Sequence, residues 1–251
     1  MVLWSVLLWS VVSAPAQSVD WYRAVLRQQF PPAASSGGVA GPPGVSIVVT
    51  NHGTAQLATL TVGSNSGANR MDLVVFSFYP TTPTFTVTNS TAQSATYVTT
   101  YYLNSSAEVL EFYAFTNPPT ASHTVSITFS SALTGGGWIA YVASLTNCSS
   151  AFGPFGTNYV SNCSVVTTNI LASANNQLVI GDYSIGYSGT SALLAPTLGA
   201  SQTIVGNAQL STTDWQDTIW KATGATSSTN TEVQSSVDWG AQSLMVCVKG
   251  F

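Results

Sequence analysis

From Val45 to the C-terminus, short runs rich in Val, Ile, Thr, Tyr and Phe recur along the chain, separated by Gly, Pro, Asn and Ser. Side chains of the first kind favour strands, and residues of the second kind favour the turns between them. No amphipathic helical pattern interrupts the series, and no exact internal repeat is visible. The pattern predicts one all-β domain over residues 45–251, a two-sheet sandwich with jelly-roll or Greek-key connections.

The positions of the individual strands follow from the same runs, because each run ends where turn residues begin. Strands are predicted near Val45–Thr50, Leu57–Val62, Leu73–Tyr79, Thr84–Thr88, Ala95–Leu103, Val109–Phe115, Thr124–Phe129, Trp138–Leu145, Val165–Ile170, Leu178–Ile185, Asp214–Ala222, Val233–Val237 and Ser243–Val248.

Charged side chains are scarce: no Asp, Glu, Lys or Arg occurs between Glu111 and Asp182, and these residues make up only 6% of the chain. Soluble domains ordinarily contain about 25%. The surface must therefore consist of Ser, Thr, Asn, Gln, Gly and Tyr, which suits glycan cover, burial in an assembly or a harsh exterior medium better than a cytoplasmic enzyme. The net charge of −4 and the scattered Lys and Arg argue against nucleic acid as a partner, because phosphate binding needs clustered cations.

Residues 1–16, MVLWSVLLWSVVSAPA, form a hydrophobic N-terminal segment. Its apolar run is too short to cross a bilayer as a helix, so no stable membrane span is expected. One interpretation is a signal peptide cleaved after Ala14-Pro15-Ala16, although no Lys or Arg precedes the run. The other is a retained donor strand that docks into a neighbouring subunit, with a stronger apolar face formed by Val2, Trp4, Val6, Leu8 and Val12.

Residues 17–44 connect this segment to the β-domain. A short helix is predicted from Ser18 to Phe30, because Ser18 can cap its N-terminus and the Pro31-Pro32 pair ends it. The composition of Pro31–Gly44, PPAASSGGVAGPPG, is typical of a linker.

The chain has three cysteines, and their spacing does not fit a CxxC metal site. Cys148 and Cys163 flank a stretch rich in Gly, Pro and Asn, so we predict a disulfide between them and a buried free thiol at Cys247. The alternative is three unrelated buried thiols.

Four N-x-S/T sequons predict N-glycosylation, at Asn89, Asn104, Asn147 and Asn162. Two of them overlap Cys148 and Cys163, a combination consistent with an exported protein. The expected location is therefore extracellular or at the cell surface.

No catalytic constellation is evident, and the sequence predicts a protein that is not an enzyme. The two histidines, His52 and His123, lie near turn residues, and no G-x-S-x-G nucleophile elbow is present. Polar turn residues are therefore the favoured interpretation of both.

Carboxylates offer the only other catalytic or metal-binding pairs. Glu108 and Glu111 are three residues apart, and an odd spacing places side chains on opposite faces of a strand, which disfavours a glycosidase pair. Asp214 and Asp217 have the same spacing. Either pair could help to bind Ca²⁺ with loop carbonyls, but isolated solvated carboxylates are the favoured interpretation, and no metal ligand or other cofactor is predicted.

Aromatic side chains could form a platform that stacks against sugar rings. The candidates are Tyr97, Tyr101, Tyr102, Trp215, Trp220 and Trp239. Alternation along a strand predicts that Tyr97 and Tyr101 share one face while Tyr102 lies on the other. Core and cross-strand packing is the favoured interpretation, because aromatic residues fill this role in any sandwich.

Several motifs of the β-domain occur in an order that resembles a widespread group of prokaryotic extracellular β-sandwich domains. They are GANRMDLVVFS (67–77), VLEFYAFTNPPTASHTVSITF (109–129), WIAYVASLTN (138–147), NQLVIGDY (176–183) and WGAQSLMVCVK (239–249). The resemblance covers roughly residues 45–251 and implies a surface-exposed, jelly-roll-like module without known catalytic residues. The N-terminal segment, the cysteines and the low charge are not part of that pattern.

Three functional hypotheses follow. The first is a structural subunit of an extracellular filament or surface assembly, whose N-terminal segment inserts into the next copy to give a homopolymer. The second is a secreted glycan-binding or adhesive module that recognises surface glycans, and the third is a virion coat protein. Fold alone does not separate them.

Overall fold

A computed structural model describes residues 41–79, 83–102, 108–134, 136–160, 163–170, 176–186, 202–210, 215–223, 228–238 and 240–251. Side chains are described for these residues except 159–160, 163–170, 185–186, 215, 217, 220, 223, 228–238 and 240–241. The hydrophobic N-terminal segment, the helix predicted from Ser18 to Phe30 and the linker up to residue 40 lie outside the described residues.

The described chain consists of strands joined by turns and loops, and it contains no helix. The strands are β1 (Gly44–Gly53), β2 (Leu57–Val62), β3 (Met71–Tyr79), β4 (Phe85–Asn89), β5 (Thr96–Tyr102), β6 (Val109–Thr116), β7 (His123–Phe129), β8 (Gly137–Thr146), β9 (Cys148–Val160), β10 (Cys163–Ile170), β11 (Gln177–Gly186), β12 (Thr203–Gln209), β13 (Trp215–Thr223), β14 (Ser228–Asp238) and β15 (Gly240–Gly250).

These strands pair antiparallel in four groups. The central sheet has the order β1-β8-β3-β6-β5, the C-terminal sheet has the order β12-β13-β11-β15-β9, and the three-stranded sheet has the order β2-β7-β4. Strands β10 and β14 form a two-stranded ribbon. The prediction of an all-β fold built from antiparallel sheets is confirmed.

The central sheet is covered on both of its faces. In β3, the side chains of Leu73 and Val75 pack with residues of the C-terminal sheet, whereas Val74 and Phe76 pack with residues of the three-stranded sheet. Every residue from Met71 to Phe78 is buried for this reason. A strand buried on both faces reads as a nearly continuous apolar run rather than an alternating one. The stack therefore has a third layer that the two-sheet prediction did not include.

An aromatic cluster fills the space between the central and three-stranded sheets. The ring of Phe76 lies perpendicular to that of Phe85, with centroids 5.1 Å apart, and Phe78 and Phe129 complete the group at 5.4 Å from each other. Edge-to-face pairs of this kind contribute about 0.5–1.5 kcal/mol beyond the area that they bury.

Two strands were missed by the sequence analysis, and both lie at edges of the C-terminal sheet. The stretch 148–160 contains Gly, Pro and Asn, yet it forms β9, with register irregularities where it pairs with β15. In β12 the register shifts between Ile204 and Gly206. Bulged edge strands lack the regular alternation by which strands are recognised in sequence.

Burial on both faces can be tested with two substitutions in adjacent strands of the central sheet. Phe76→Ala removes a ring on the side of the three-stranded sheet, and Phe112→Ala removes one on the side of the C-terminal sheet; both residues are fully buried. Each is expected to lower the free energy of unfolding by about 3–5 kcal/mol, because each leaves a cavity. Urea denaturation measures both losses. A loss below about 0.5 kcal/mol for either variant would show that the corresponding face is open to solvent.

Candidate functional site

A buried ion pair joins the central sheet to the three-stranded sheet. Nε2 of His123, at the start of β7, lies 2.6 Å from Oδ2 of Asp72 on β3. The other ring nitrogen, Nδ1, lies 3.1 Å from the carbonyl oxygen of Ala121. Because both ring nitrogens face oxygen atoms, the pair holds either an imidazolium beside a carboxylate or a neutral imidazole beside a protonated carboxyl. His123 is thus a buried partner of Asp72, not the polar turn residue that the sequence analysis favoured.

A chain of polar side chains extends from this ion pair across the central sheet. Nδ2 of Asn65 donates to Oγ of Ser144 at 2.9 Å and lies 3.0 Å from Oγ of Ser46. The hydroxyl of Ser46 donates to the carbonyl of Ser144 at 2.8 Å. Arg70 supports the same region, since its guanidinium donates to the carbonyls of Gly67 at 2.9 Å and Pro118 at 3.1 Å. These bonds fasten two loops to the end of the sheet.

Serine, aspartate and histidine occur together here, but not in the arrangement that nucleophilic catalysis requires. In a catalytic triad the histidine lies between the serine and the carboxylate, with one ring nitrogen directed at each. Here the ring nitrogens of His123 are directed at Asp72 and at a backbone carbonyl. Ser144 is also buried and accepts a hydrogen bond from Asn65. These polar contacts connect the central and three-stranded sheets, and they do not activate the hydroxyl of Ser144 as a nucleophile.

A second buried polar cluster lies between the central and C-terminal sheets, and we call it the Glu108 cluster. It consists of Glu108, just before β6, Asp182 and Ser184 on β11, and Gln242 on β15. The hydroxyl of Ser184 donates to Oε1 of Glu108. Ser184 and Gln242 are direct cross-strand partners, so their side chains lie on one face of the sheet.

The two glutamates point into different layers, as their odd spacing predicts. Glu108 contacts Ser184 of the C-terminal sheet. Glu111 pairs with Phe76 and Thr100, and Phe76 belongs to the core shared with the three-stranded sheet. Neither glutamate is the solvated carboxylate that the sequence analysis favoured, because both are buried. Asp214 lies outside the described residues, and only the backbone of Asp217 is described.

The tyrosines of β5 do not share faces as predicted. Tyr97 packs on Tyr113, with ring centroids 5.6 Å apart, on the side of the three-stranded sheet. Tyr101 packs on the opposite side, against the core shared with the C-terminal sheet. The reason is a bulge between Tyr97 and Thr99, which shifts the alternation by one residue. Tyr102 is 54% exposed, and the side chains of Trp215, Trp220 and Trp239 lie outside the description.

The predicted disulfide between Cys148 and Cys163 is not formed, since Cys148 is a free, buried thiol. Cys148 begins β9, a strand of 13 residues, and Cys163 follows the end of that strand. The strand pairs with Ala241–Gly250 of β15, so at about 3.3 Å per residue it spans roughly 30 Å, whereas a disulfide needs Cα atoms within about 7 Å. Cys247 is free and buried as expected, and its thiol donates to Oε1 of Gln177 at 3.1 Å.

The sequons differ in what their asparagines already bind. Asn89 is 5% exposed. Its Oδ1 accepts from the backbone N–H of Thr91 and Gln93, and its Nδ2 donates to Oε1 of Gln93 at 3.0 Å. To receive a glycan on that nitrogen, the Asn89 side chain would have to break these hydrogen bonds and leave the turn. This argues against modification of the folded protein at Asn89. Nδ2 of Asn147 donates to the carbonyl of Gly41 at 3.1 Å, while Asn104 and Asn162 lie outside the described residues.

The assembly residues proposed for the N-terminal segment also lie outside the described part of the chain. They are Val2, Trp4, Val6, Leu8 and Val12. Within the described ranges, no helix has the length and apolarity needed to cross a membrane. No three side chains among His, Cys, Asp and Glu converge there on a common point that could hold a metal ion.

Comparison with protein-family models, with curated proteins and with solved structures gives no match to this chain.

The polar residues that the sequence analysis missed share one signal. Asp72, Ser77, Ser144 and Asp182 are buried polar residues inside strands that are mostly apolar. A polar residue inside a strand that is buried on both faces must be matched by a partner, because unpaired burial costs several kcal/mol. This signal identifies the residues, although it does not identify their partners.

The ion pair predicts an unusual dependence of stability on pH. Burial raises the pKa of Asp72 above its ordinary value of 3.8, although the hydrogen bonds from Ser144 and His123 and the charges of His123 and Arg70 act in the opposite direction. A carboxyl whose pKa is higher in the folded state stabilises the fold fully below its unfolded pKa, and that contribution is lost as pH rises through the folded pKa. Asp72→Asn, which fixes the neutral form, should remove this contribution.

Urea denaturation of the native chain and of Asp72→Asn, between about pH 3 and pH 6, measures the effect. The stability of the native chain relative to the variant should fall as pH rises, by at most about 1.4 kcal/mol per pH unit for one proton. His52→Ala is the matched control, since His52 is exposed and should leave the profile unchanged. A constant difference between the native chain and Asp72→Asn across this range would contradict the assignment.

The cysteines should be unreactive in the folded protein. Burial raises the pKa of Cys148 to about 12 and that of Cys247 to about 11, so almost no thiolate is present at neutral pH. Iodoacetamide should label neither residue until denaturant is added, and both should then be labelled without reductant. Peptide mapping by mass spectrometry checks this result. A linked Cys148–Cys163 peptide in unreduced protein would instead restore the disulfide and show that β9 is not continuous.

Proposed function

We propose that this protein is a structural subunit of an extracellular filament or surface assembly, which polymerises through its N-terminal segment. The observation that carries the proposal is the placement of charge. The Asp and Glu side chains that the structure describes are all buried, namely Asp72, Glu108, Glu111 and Asp182. The described Lys and Arg side chains are half-buried, namely Arg70, Lys221 and Lys249.

Among the described residues, the charged side chains that reach the surface are therefore these three, each of them partly buried. Charge of both signs ordinarily keeps a small soluble domain dispersed and prevents close approach of copies. A neutral surface of Ser, Thr, Asn and Gln lacks that protection and instead suits contact with further copies of the chain or cover by glycans. This distribution favours a packed subunit over a freely diffusing monomer.

The N-terminal segment has the composition of a strand from the central sheet. Its apolar run VLWSVLLWSVV contains two serines, and β8, GWIAYVASLT, is likewise apolar on both faces with a single buried serine. Such a strand fits beside another strand whose sheet is covered on both sides. Of the two edges of the central sheet, β1 packs against β2 and β12, whereas β5, at the opposite edge, makes a smaller contact, with β9. We therefore propose β5 of a neighbouring copy as the docking position.

The linker is long enough, and the buried apolar side chains are numerous enough, for the N-terminal segment to dock into a neighbouring copy. The fourteen residues of Pro31–Gly44 can span up to roughly 45 Å when extended. Each fully buried aliphatic side chain of the segment contributes about 1.5–3 kcal/mol, and main-chain hydrogen bonds satisfy an edge that would otherwise be an aggregation hazard. Contacts of this head-to-tail kind generate open filaments when they do not close into a ring.

The likeness to jelly-roll-like extracellular surface domains and the N-glycosylation of the chain are further parts of this proposal. Glycans would be expected first at Asn104 and Asn162, because the amides of Asn89 and Asn147 already bind within the fold. A secreted glycan-binding module and a virion coat protein remain the alternatives, and both predict a role that does not depend on residues 1–16.

Deletion of residues 1–16 is expected to convert filaments into soluble monomers, because it removes the strand that each subunit donates. Negative-stain electron microscopy and sedimentation of the native and truncated proteins measure the change. A synthetic peptide of residues 1–16 added to the truncated monomer should bind to it and raise its unfolding temperature, as an inserted strand would.

Val6→Asp and Gln17→Asp form a matched pair for this experiment. Val6→Asp places a charge in the middle of the donated strand and should abolish assembly, whereas Gln17→Asp adds the same charge beyond the segment and should not. Filaments of unchanged form after the deletion, or a native N-terminus that begins at Gln17, would rule out the donor strand and favour the alternatives.

A further inference from the structure

The Glu108 cluster has a donor set that neither the sequence analysis nor the proposed function uses. It lies where the central and C-terminal sheets face each other, and its described members are almost completely removed from solvent. Ser184 is fully buried, and its hydroxyl is hydrogen-bonded to the carboxylate of Glu108 across the two layers. The cluster thus brings the carboxylate of Glu108, next to the central sheet, into contact with a polar side chain of the C-terminal sheet.

The polar side chains of the C-terminal sheet lie on two neighbouring strands. Ser184 on β11 has Gln242 of β15 as its direct cross-strand partner. Asp182 lies two residues before Ser184 and therefore on the same face of β11. Neighbouring strands are about 4.8 Å apart, so these positions are close enough to share a ligand.

Gln242 supplies an independent observation. It is 1% exposed, and neither Oε1 nor Nε2 has a hydrogen-bond partner in the structure. Its side chain emerges beside Ser184 on the face that is directed at Glu108. A buried amide is ordinarily satisfied by protein, water or an ion, and its desolvation is costly otherwise. The unpartnered Oε1 of Gln242, beside a buried carboxylate, indicates a cation that can accept lone pairs from both groups.

The chemistry of the donors identifies the class of ligand. The side chains of the cluster carry oxygen ligands, from carboxylate, hydroxyl and carboxamide groups, and no described His or Cys joins them in a metal-binding group. Oxygen-only sites suit hard cations, and among these Ca²⁺ accepts neutral amide and hydroxyl oxygens in irregular geometry, whereas Mg²⁺ demands a near-ideal octahedron. Lys221 lies opposite Ile180 on the same face and is half-exposed; it is the one described Lys or Arg on that side. A divalent cation would offset the two buried carboxylates.

We propose that the Glu108 cluster binds one calcium ion through Glu108, Ser184 and Gln242, with Asp182 as a further carboxylate. The ion fastens the C-terminal sheet to the central sheet, at the end of the stack opposite to the Asp72–His123 pair. The affinity expected is that of extracellular calcium modules, with a Kd of roughly 10⁻⁴–10⁻³ M.

The test begins with the full chain, stripped of metal with a chelator and titrated with CaCl₂ alone. Equilibrium dialysis with metal analysis should find one Ca²⁺ per chain, and the unfolding temperature should rise with Ca²⁺ concentration, because the ion binds only the folded state. Mg²⁺ at the same concentrations should bind at least tenfold more weakly. Failure to bind Ca²⁺ at millimolar concentration, or tighter binding of Mg²⁺, would overturn the proposal.

Two glutamates allow a matched comparison. Glu108→Gln should weaken Ca²⁺ binding by at least tenfold, whereas Glu111→Gln alters an equally buried carboxylate that faces the other layer and should leave binding unchanged. If Glu108→Gln does not fold, Gln242→Leu removes the amide oxygen without adding charge and should weaken binding in the same direction. Equal affinity of the native chain and of the folded cluster variant would show that calcium binds elsewhere.

Discussion

The inner strands of the central sheet are covered on both faces, and the rest of the structure depends on that constraint. Strands β3, β6 and β8 are packed between two other layers, so each polar side chain that they carry must be satisfied by a flanking layer or by a neighbouring strand. Asp72 is matched by His123 of the three-stranded sheet, and Glu108 by Ser184 of the C-terminal sheet. Because a polar contact tolerates sliding less than an apolar one does, these two contacts fix how the three layers are placed on each other.

Much of this architecture is visible in the sequence. The apolar runs that form β3 and β8 and the turn residues between strands predict the all-β class and most of the strand positions. What the runs cannot show is the number of layers, because a continuous apolar run looks the same whether two or three sheets cover it. The edge strand β12 is hidden for a local reason: it packs through Gly206, where a Cβ would lie 2.7 Å from Cγ2 of Ile219, and its register slips beside that glycine.

At the candidate site, the alternation of side chains along a strand predicts some of the positions but not others. Alternation correctly separates Glu108 from Glu111, since the register is regular from Val109 to Thr116. It fails for Tyr97 and Tyr101, because one bulge lies between them. It also gives no information on pairs brought together by the fold, such as Asp72 and His123, which are 51 residues apart. The predicted disulfide failed because Cys148–Val160 is an extended strand rather than a loop.

The removal of charge from the described surface has a consequence for how copies of the chain meet. When two ordinary proteins approach each other, their surface charges interact over about 10 Å, and salt screens this interaction. Where few ionised groups reach the surface, this long-range term is small, and encounters are decided mainly at contact, by shape and by hydrogen bonds. The rate of association should then be nearly indifferent to ionic strength, which would let the same contacts form in fresh water and in concentrated brine.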